Sequence, residues 1–95
     1  MHSASSTAAR RGDGEEGASE QVAGFYGRVL GIDDVGPDDD FFVLGGTSLS
    51  AMALLDAIEE ELGVRLPVRV LYRASAVSEL AREVDTRLTE LRRGA

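Results

Sequence analysis

The chain has no cysteine and no lysine, and its one histidine is His2. Without cysteine there is no disulfide framework and no thiolate to serve as a metal ligand or nucleophile. A single histidine beside the N-terminus excludes His-dependent triads and the usual zinc sites. No apolar run approaches the ~18 residues that span a bilayer, and the N-terminus lacks the apolar region of a signal peptide. The expectation is a cytoplasmic protein with no membrane partner. At 95 residues it is one domain at most, with a small core.

Charge is unevenly distributed. The net charge is −7. Between Val29 and Val64 lie nine acids (Asp33, Asp34, Asp38, Asp39, Asp40, Asp56, Glu59, Glu60, Glu61) and no base, whereas seven arginines face four acids from Arg65 onwards. An acidic centre argues against nucleic acid as a partner, because duplex binding rests on neutralising phosphates. It suits steering towards basic protein surfaces.

Residues 1–17 carry no large apolar side chain beyond Met1, so a disordered tail is expected. A first helix is expected from Ser19, as N-cap, to a stop at Gly31. Val22, Phe25, Tyr26 and Val29 fall on one face of it. A long connection, residues 31–47, holds five aspartates and the apolar anchors Phe41, Phe42 and Leu44. A second helix, Ser48 to Leu62, ends at Gly63 and turns Ala51, Leu54, Leu55, Ile58 and Leu62 to the core. Leu49 and Met52 lie partly off that face, where they either complete the core edge or form an apolar contact patch.

Pro67 opens a short helix, Val68 to Tyr72. Ser75 is expected to cap a last helix whose stripe is Val77, Leu80, Ala81, Val84 and Leu88. Its exposed side offers the pairs Glu79–Arg82 and Glu83–Arg87. The fold class expected is all-α: a small bundle of three main helices and one short one, spanning residues 18–90, with a frayed end at 91–95.

The chemistry concentrates in Asp38-Asp39-Asp40-Phe41-Phe42-Val43-Leu44-Gly45-Gly46-Thr47-Ser48-Leu49. Three consecutive aspartates fail the alternating spacing of a calcium loop, and no metal site is expected. The loop Gly45-Gly46-Thr47-Ser48 lacks the lysine and the preceding strand of a nucleotide-binding P-loop. A serine nucleophile needs a base, and none is in reach; no catalytic residue is assigned. Ser48 nonetheless opens a helix, where unpaired N–H groups and the helix dipole stabilise a phosphate. Gly45 and Gly46 can take positive φ and let a bulky group approach the backbone. This reading makes Ser48 a place where something is attached.

The segment Asp40–Leu49 resembles, from Phe41 on, the F-F-x-L-G-G-x-S-L signature of peptidyl carrier proteins, the thiolation domains of non-ribosomal peptide synthesis. Val29-Leu30-Gly31 is similar to the end of that family's first helix, and Glu61–Val68 to its E-L-G-x-x-L-P-L segment. Leu71-Tyr72 and Val77–Ala81 resemble its closing L-F and v-x-e-L-A; the resemblance covers about residues 20 to 88. It implies an acyl-carrier-like bundle in which Ser48 takes 4′-phosphopantetheine covalently from coenzyme A, by way of a phosphopantetheinyl transferase. Gly45, Gly46, Thr47 and Leu49 would support the attachment loop. The arm's thiol would hold an aminoacyl or peptidyl thioester, with adenylating, condensation and tailoring enzymes as partners.

Contacts with those enzymes would involve Leu49, Met52, Val68 and Leu71. Thr47 stands where fatty-acid and polyketide carriers more often have aspartate, which favours the peptidyl class over an acyl carrier. Two departures are Tyr26 for a family tryptophan and Ser75-Ala76 for Pro-Thr. Because the chain starts at Met1 and few residues follow the domain, the expectation is a free-standing, monomeric carrier, not a module of a large synthetase, and one that is not itself an enzyme. Its rival of a different class is a helical adaptor with no prosthetic group.

Overall fold

The computed structural model describes residues 15–94. Of the tail expected over residues 1–17, residues 1–14, and with them His2, lie outside the described residues, whereas residues 15–17 belong to the first helix. Among the described residues four helices follow in order: α1 Glu15–Leu30, α2 Ser48–Leu62, α3 Val68–Arg73 and α4 Val77–Gly94. Backbone pairing of the strand type is limited, among the described residues, to an isolated antiparallel bridge between Asp40 and Ala76. The small all-α bundle with a long first connection is the architecture that the periodicity implies.

The core is a single cluster. Val22, Phe25 and Tyr26 of α1 meet Ala51, Leu54, Leu55 and Ile58 of α2, Val70 and Leu71 of α3, and Val77, Leu80, Ala81 and Val84 of α4. Each fully buried aliphatic or aromatic side chain contributes about 1.5–3 kcal/mol. That burial offsets the weak helix propensity of Gly24 and Gly27 inside α1.

Both outer helices overrun their expected limits. α1 begins at Glu15, four residues before Ser19. Ala18 explains the extra turn: it is buried and sits at i−4 from Val22, so it lengthens the core stripe upstream. Ser19 lies within the helix and caps nothing. At the other end α4 continues to Gly94, through the segment expected to fray.

The start of α4 also departs from expectation. Ser75 does not cap it; the Ser75 hydroxyl donates instead to Asp40 Oδ2 at 2.6 Å. The free N–H groups of the first turn are met by the long connection, with Val77 donating to the Asp39 carbonyl and Ser78 to the Pro37 carbonyl, both at 2.9 Å. Glu79 Oε1 accepts from the Ala76 N–H at 3.3 Å, the acid's half of a capping box in a frame one residue later than Ser75 suggested. Engaged there, Glu79 forms no ion pair with Arg82, whereas Glu83 pairs with Arg87 at 2.8 Å and with Arg73 at 3.8 Å. The long connection is thus a cap for α4 as well as a link to α2.

Candidate functional site

The attachment loop is built outward from Asp40. Its Oδ1 accepts from the Phe42 and Val43 N–H groups at 2.9 and 3.2 Å, and the Leu44 N–H reaches the Asp40 carbonyl at 2.9 Å. Asp40 therefore caps a single helical turn, the local bonding an aspartate favours at such a start. The hydrogen bond from Ser75 holds its carboxyl below the usual aspartate range against the opposing cost of burial, and the two backbone N–H groups add to the lowering. Asp40 is structural, whereas Asp38 is exposed and Asp39 folds back to accept from the Gly36 N–H at 2.8 Å. Among the described residues no cluster of acids suits a metal ion.

The turn seats Phe41 in the core, fully buried and edge-on to Tyr26 at 5.1 Å between ring centroids. Tyr26, also fully buried, donates its hydroxyl to the Ser75 carbonyl at 2.7 Å, and the Phe41 N–H reaches the same oxygen at 3.0 Å. Burial first, and then the negative charge of Asp40 and Glu79, pushes the Tyr26 hydroxyl far up from its ordinary pKa. Ser75 thereby ties α1, the loop and α4 together.

The two glycines have different reasons to be there. Gly45 carries φ +111°, in the region that disfavours a side chain. Gly46 does not have positive φ; a Cβ there would lie 2.3 Å from the Phe41 ring. Gly46 is therefore a packing requirement of Phe41, a correction to the idea that both glycines serve only access.

Thr47 is the N-cap of α2. Its hydroxyl accepts from the Ser50 N–H at 3.2 Å while Ser50 Oγ accepts from the Thr47 N–H at 2.7 Å, a reciprocal capping box. Ser48, the first residue of α2, is exposed. Its Oγ lies 3.2 Å from the Tyr72 hydroxyl of α3. The Tyr72 ring stacks on Phe42 at 5.2 Å and 11°, and Phe42 meets Phe41 edge-on at 5.3 Å. An aromatic series thus runs from Tyr26 in the core to the hydroxyl beside Ser48.

Exposed apolar side chains follow the serine along α2 and recur on α3. Leu49 is 82% exposed and Met52 51%, so they are not core edge, and Val68 of α3 is exposed as well. Leu71, expected with them, is fully buried, because Val70 and Leu71 together supply the face by which short α3 holds to the core. Buried in this way, it has no surface to offer a partner. Val43 and Tyr72, also exposed, were missed, and Tyr72 is the one in contact with Ser48. No local pattern singles out Tyr72, since the adjacent Val70 and Leu71 of the same six-residue helix are both buried.

Among the described residues the side-chain partner of Ser48 Oγ is a tyrosine hydroxyl, and no histidine or lysine occurs there. This arrangement presents a hydroxyl at a helix start without a strong base beside it. No helix among the described residues is long and apolar enough to cross a membrane.

Comparison with known proteins agrees with this geometry. Residues 20–84 match the family model for the phosphopantetheine attachment site. The isonitrile lipopeptide synthase of Mycobacterium tuberculosis is 52% identical over 60 residues, 63% of this chain and 2% of that protein. The chain thus spans a small part of the curated synthetases it matches. A peptidyl carrier protein solved with the phosphopantetheine transferase Sfp and coenzyme A superposes with a TM-score of 0.71 at 37% identity, over 74% of this chain and 91% of that one. An active-site mutant of a peptidyl carrier protein gives 0.73 at 36% identity, over 76% and 80%. The chain belongs to the phosphopantetheine attachment-site family, as a carrier domain of the peptidyl type.

Proposed function

We propose that Ser48 is the attachment point and that the chain carries aminoacyl or peptidyl groups as thioesters. The observation that carries this reading is the placement of Ser48: exposed, first in α2, and flanked by a capped loop on one side and Leu49 and Met52 on the other. A phosphodiester at that oxygen gains from the helix N-terminus, so the residues present fit the group. In loading, Ser48 Oγ forms a bond to the pantetheine-bearing phosphorus of coenzyme A as the pyrophosphate P–O bond breaks. Adenosine 3′,5′-bisphosphate leaves, and the serine proton passes to a base on the transferase. The arm supplies the thiol that this chain lacks.

The residues of the chain hold and present. Thr47 and Ser50 fix the start of α2, Gly45 and Gly46 shape the loop, and Phe41 anchors it. Leu49, Met52 and Val68, joined by Val43 and Tyr72, offer an apolar surface next to the serine to the transferase and to adenylating, condensation or tailoring enzymes. The acidic residues of the loop and α2 favour partners with basic rims. The likeness to carrier domains of peptide synthetases supports the peptidyl reading over the acyl one.

Challenging the loaded protein with adenylating enzymes, ATP and amino acids tests this choice. A mass gain matching one amino-acyl group, released by hydroxylamine, is the expected result. Acceptance of fatty or malonyl groups alone would assign the chain to acyl carriers.

A further inference from the structure

We infer that Tyr72 is a positioning residue for the attachment serine and, once the arm is in place, a hydrogen-bond donor to its phosphate. The inference rests on Ser48 being the attachment point. Its own ground is the 3.2 Å separation of the Tyr72 hydroxyl from Ser48 Oγ, across 24 residues of sequence. The phenol is half-exposed, and its placement is not accidental to a mobile side chain. Its ring lies flat on Phe42, Phe42 abuts the buried Phe41, and the α3 backbone beneath is held by Val70 and Leu71. A donor fixed in this way loses little freedom when it bonds.

Chemistry sets the direction of the bond. Before loading, either hydroxyl can donate. Afterwards Ser48 Oγ is an ester oxygen without a proton, and the best acceptors nearby are the two unesterified, anionic oxygens on the same phosphorus. Tyr72, holding the remaining proton, must donate. Hydrogen bonds from a hydroxyl to an anionic oxygen are shorter and about twice as strong as neutral ones. The contact would restrain the first torsions of the arm without touching its thiol, so the far end stays free to move between partners. Nothing else among the described side chains comes within hydrogen-bond distance of Ser48 Oγ.

The test compares wild type, Tyr72→Phe and Tyr72→Leu, each loaded from coenzyme A by a broad-specificity transferase and verified by intact mass. The readouts are the ³¹P resonance of the phosphodiester and the change in Tm on loading. If the hydroxyl acts, the two variants share one ³¹P position, displaced from wild type, and both lose whatever Tm gain wild type shows on loading. If only the ring matters, Tyr72→Phe coincides with wild type while Tyr72→Leu departs, and the inference is overturned. Coincidence of all three overturns it too. A wild type that takes no phosphopantetheine removes the Ser48 reading itself, and this inference with it.

Discussion

The Ser75 carbonyl receives two hydrogen bonds from separate parts of the chain, one from the Tyr26 hydroxyl at 2.7 Å and one from the Phe41 N–H at 3.0 Å. Tyr26 belongs to α1, Ser75 precedes α4, and Phe41 sits in the loop that leads to Ser48. The attachment loop is thereby fastened to α1 and to the residues that lead into α4. Removing the anchor should unfasten it. Phe41→Ala is expected to cost about 3–5 kcal/mol, the range for deleting a buried phenylalanine, read as a lower midpoint in urea.

The glycine pair should respond unequally to alanine. At Gly46 the new Cβ meets the Phe41 ring at 2.3 Å and the Phe41 carbonyl oxygen at 2.8 Å. Overpacking of that kind costs about 1–3 kcal/mol. Gly24, inside α1 with nothing within 4 Å of a Cβ, should instead gain about 0.5–1 kcal/mol on the same change. Thermal unfolding of the two variants checks both signs.

Stability should fall at both ends of the pH scale, for separate reasons. Asp40 has a folded pKa below its unfolded one, so its contribution is present above the unfolded value and is lost as pH falls through the folded value. Because the Ser75 hydroxyl is the largest cause, Ser75→Ala should move the Asp40 carboxyl back up in an NMR titration. Tyr26 has the opposite displacement. Its folded pKa lies above the ordinary 10.0, so stability is full below that value and declines as pH rises beyond it. In Tyr26→Phe the alkaline decline should be shallower, although the variant also loses the bond to Ser75.

The apolar surface and the core beneath it are separable by mutation. Met52→Glu should leave the unfolding midpoint within ~0.5 kcal/mol of wild type, because the side chain is half-exposed. Loading by the transferase should slow on the order of tenfold, the effect of ~1.4 kcal/mol at a contact residue. Leu71→Ala should do the reverse and cost about 2–5 kcal/mol of stability. Unchanged loading kinetics for Met52→Glu would remove that position from the contact surface.

Much of this was legible in the residues. Regular stripes such as Ala51, Leu54, Leu55 and Ile58 define α2 to the residue, because Gly63 ends it with φ +71°. The misread helix starts have tertiary origins. Ser19 and Ser75 look like caps, but a cap depends on where tertiary burial starts the helix. Ala18 is too small to register as a core residue in sequence, and its burial moves the start of α1 upstream. Asp40 draws the Ser75 hydroxyl 35 positions along the chain, a partnership that no local pattern encodes. Leu71 and Tyr72 show the same limit within a short helix: Val70 and Leu71 are both buried while Tyr72 faces out, and only packing decides which residues do so.

The most direct test of the central claim is the intact mass of wild type and Ser48→Ala after incubation with coenzyme A, Mg²⁺ and a broad-specificity phosphopantetheinyl transferase. Wild type should gain one phosphopantetheine, located by fragmentation on the peptide containing Ser48, and Ser48→Ala should gain none. No gain in wild type, or an equal gain in Ser48→Ala, would contradict the account.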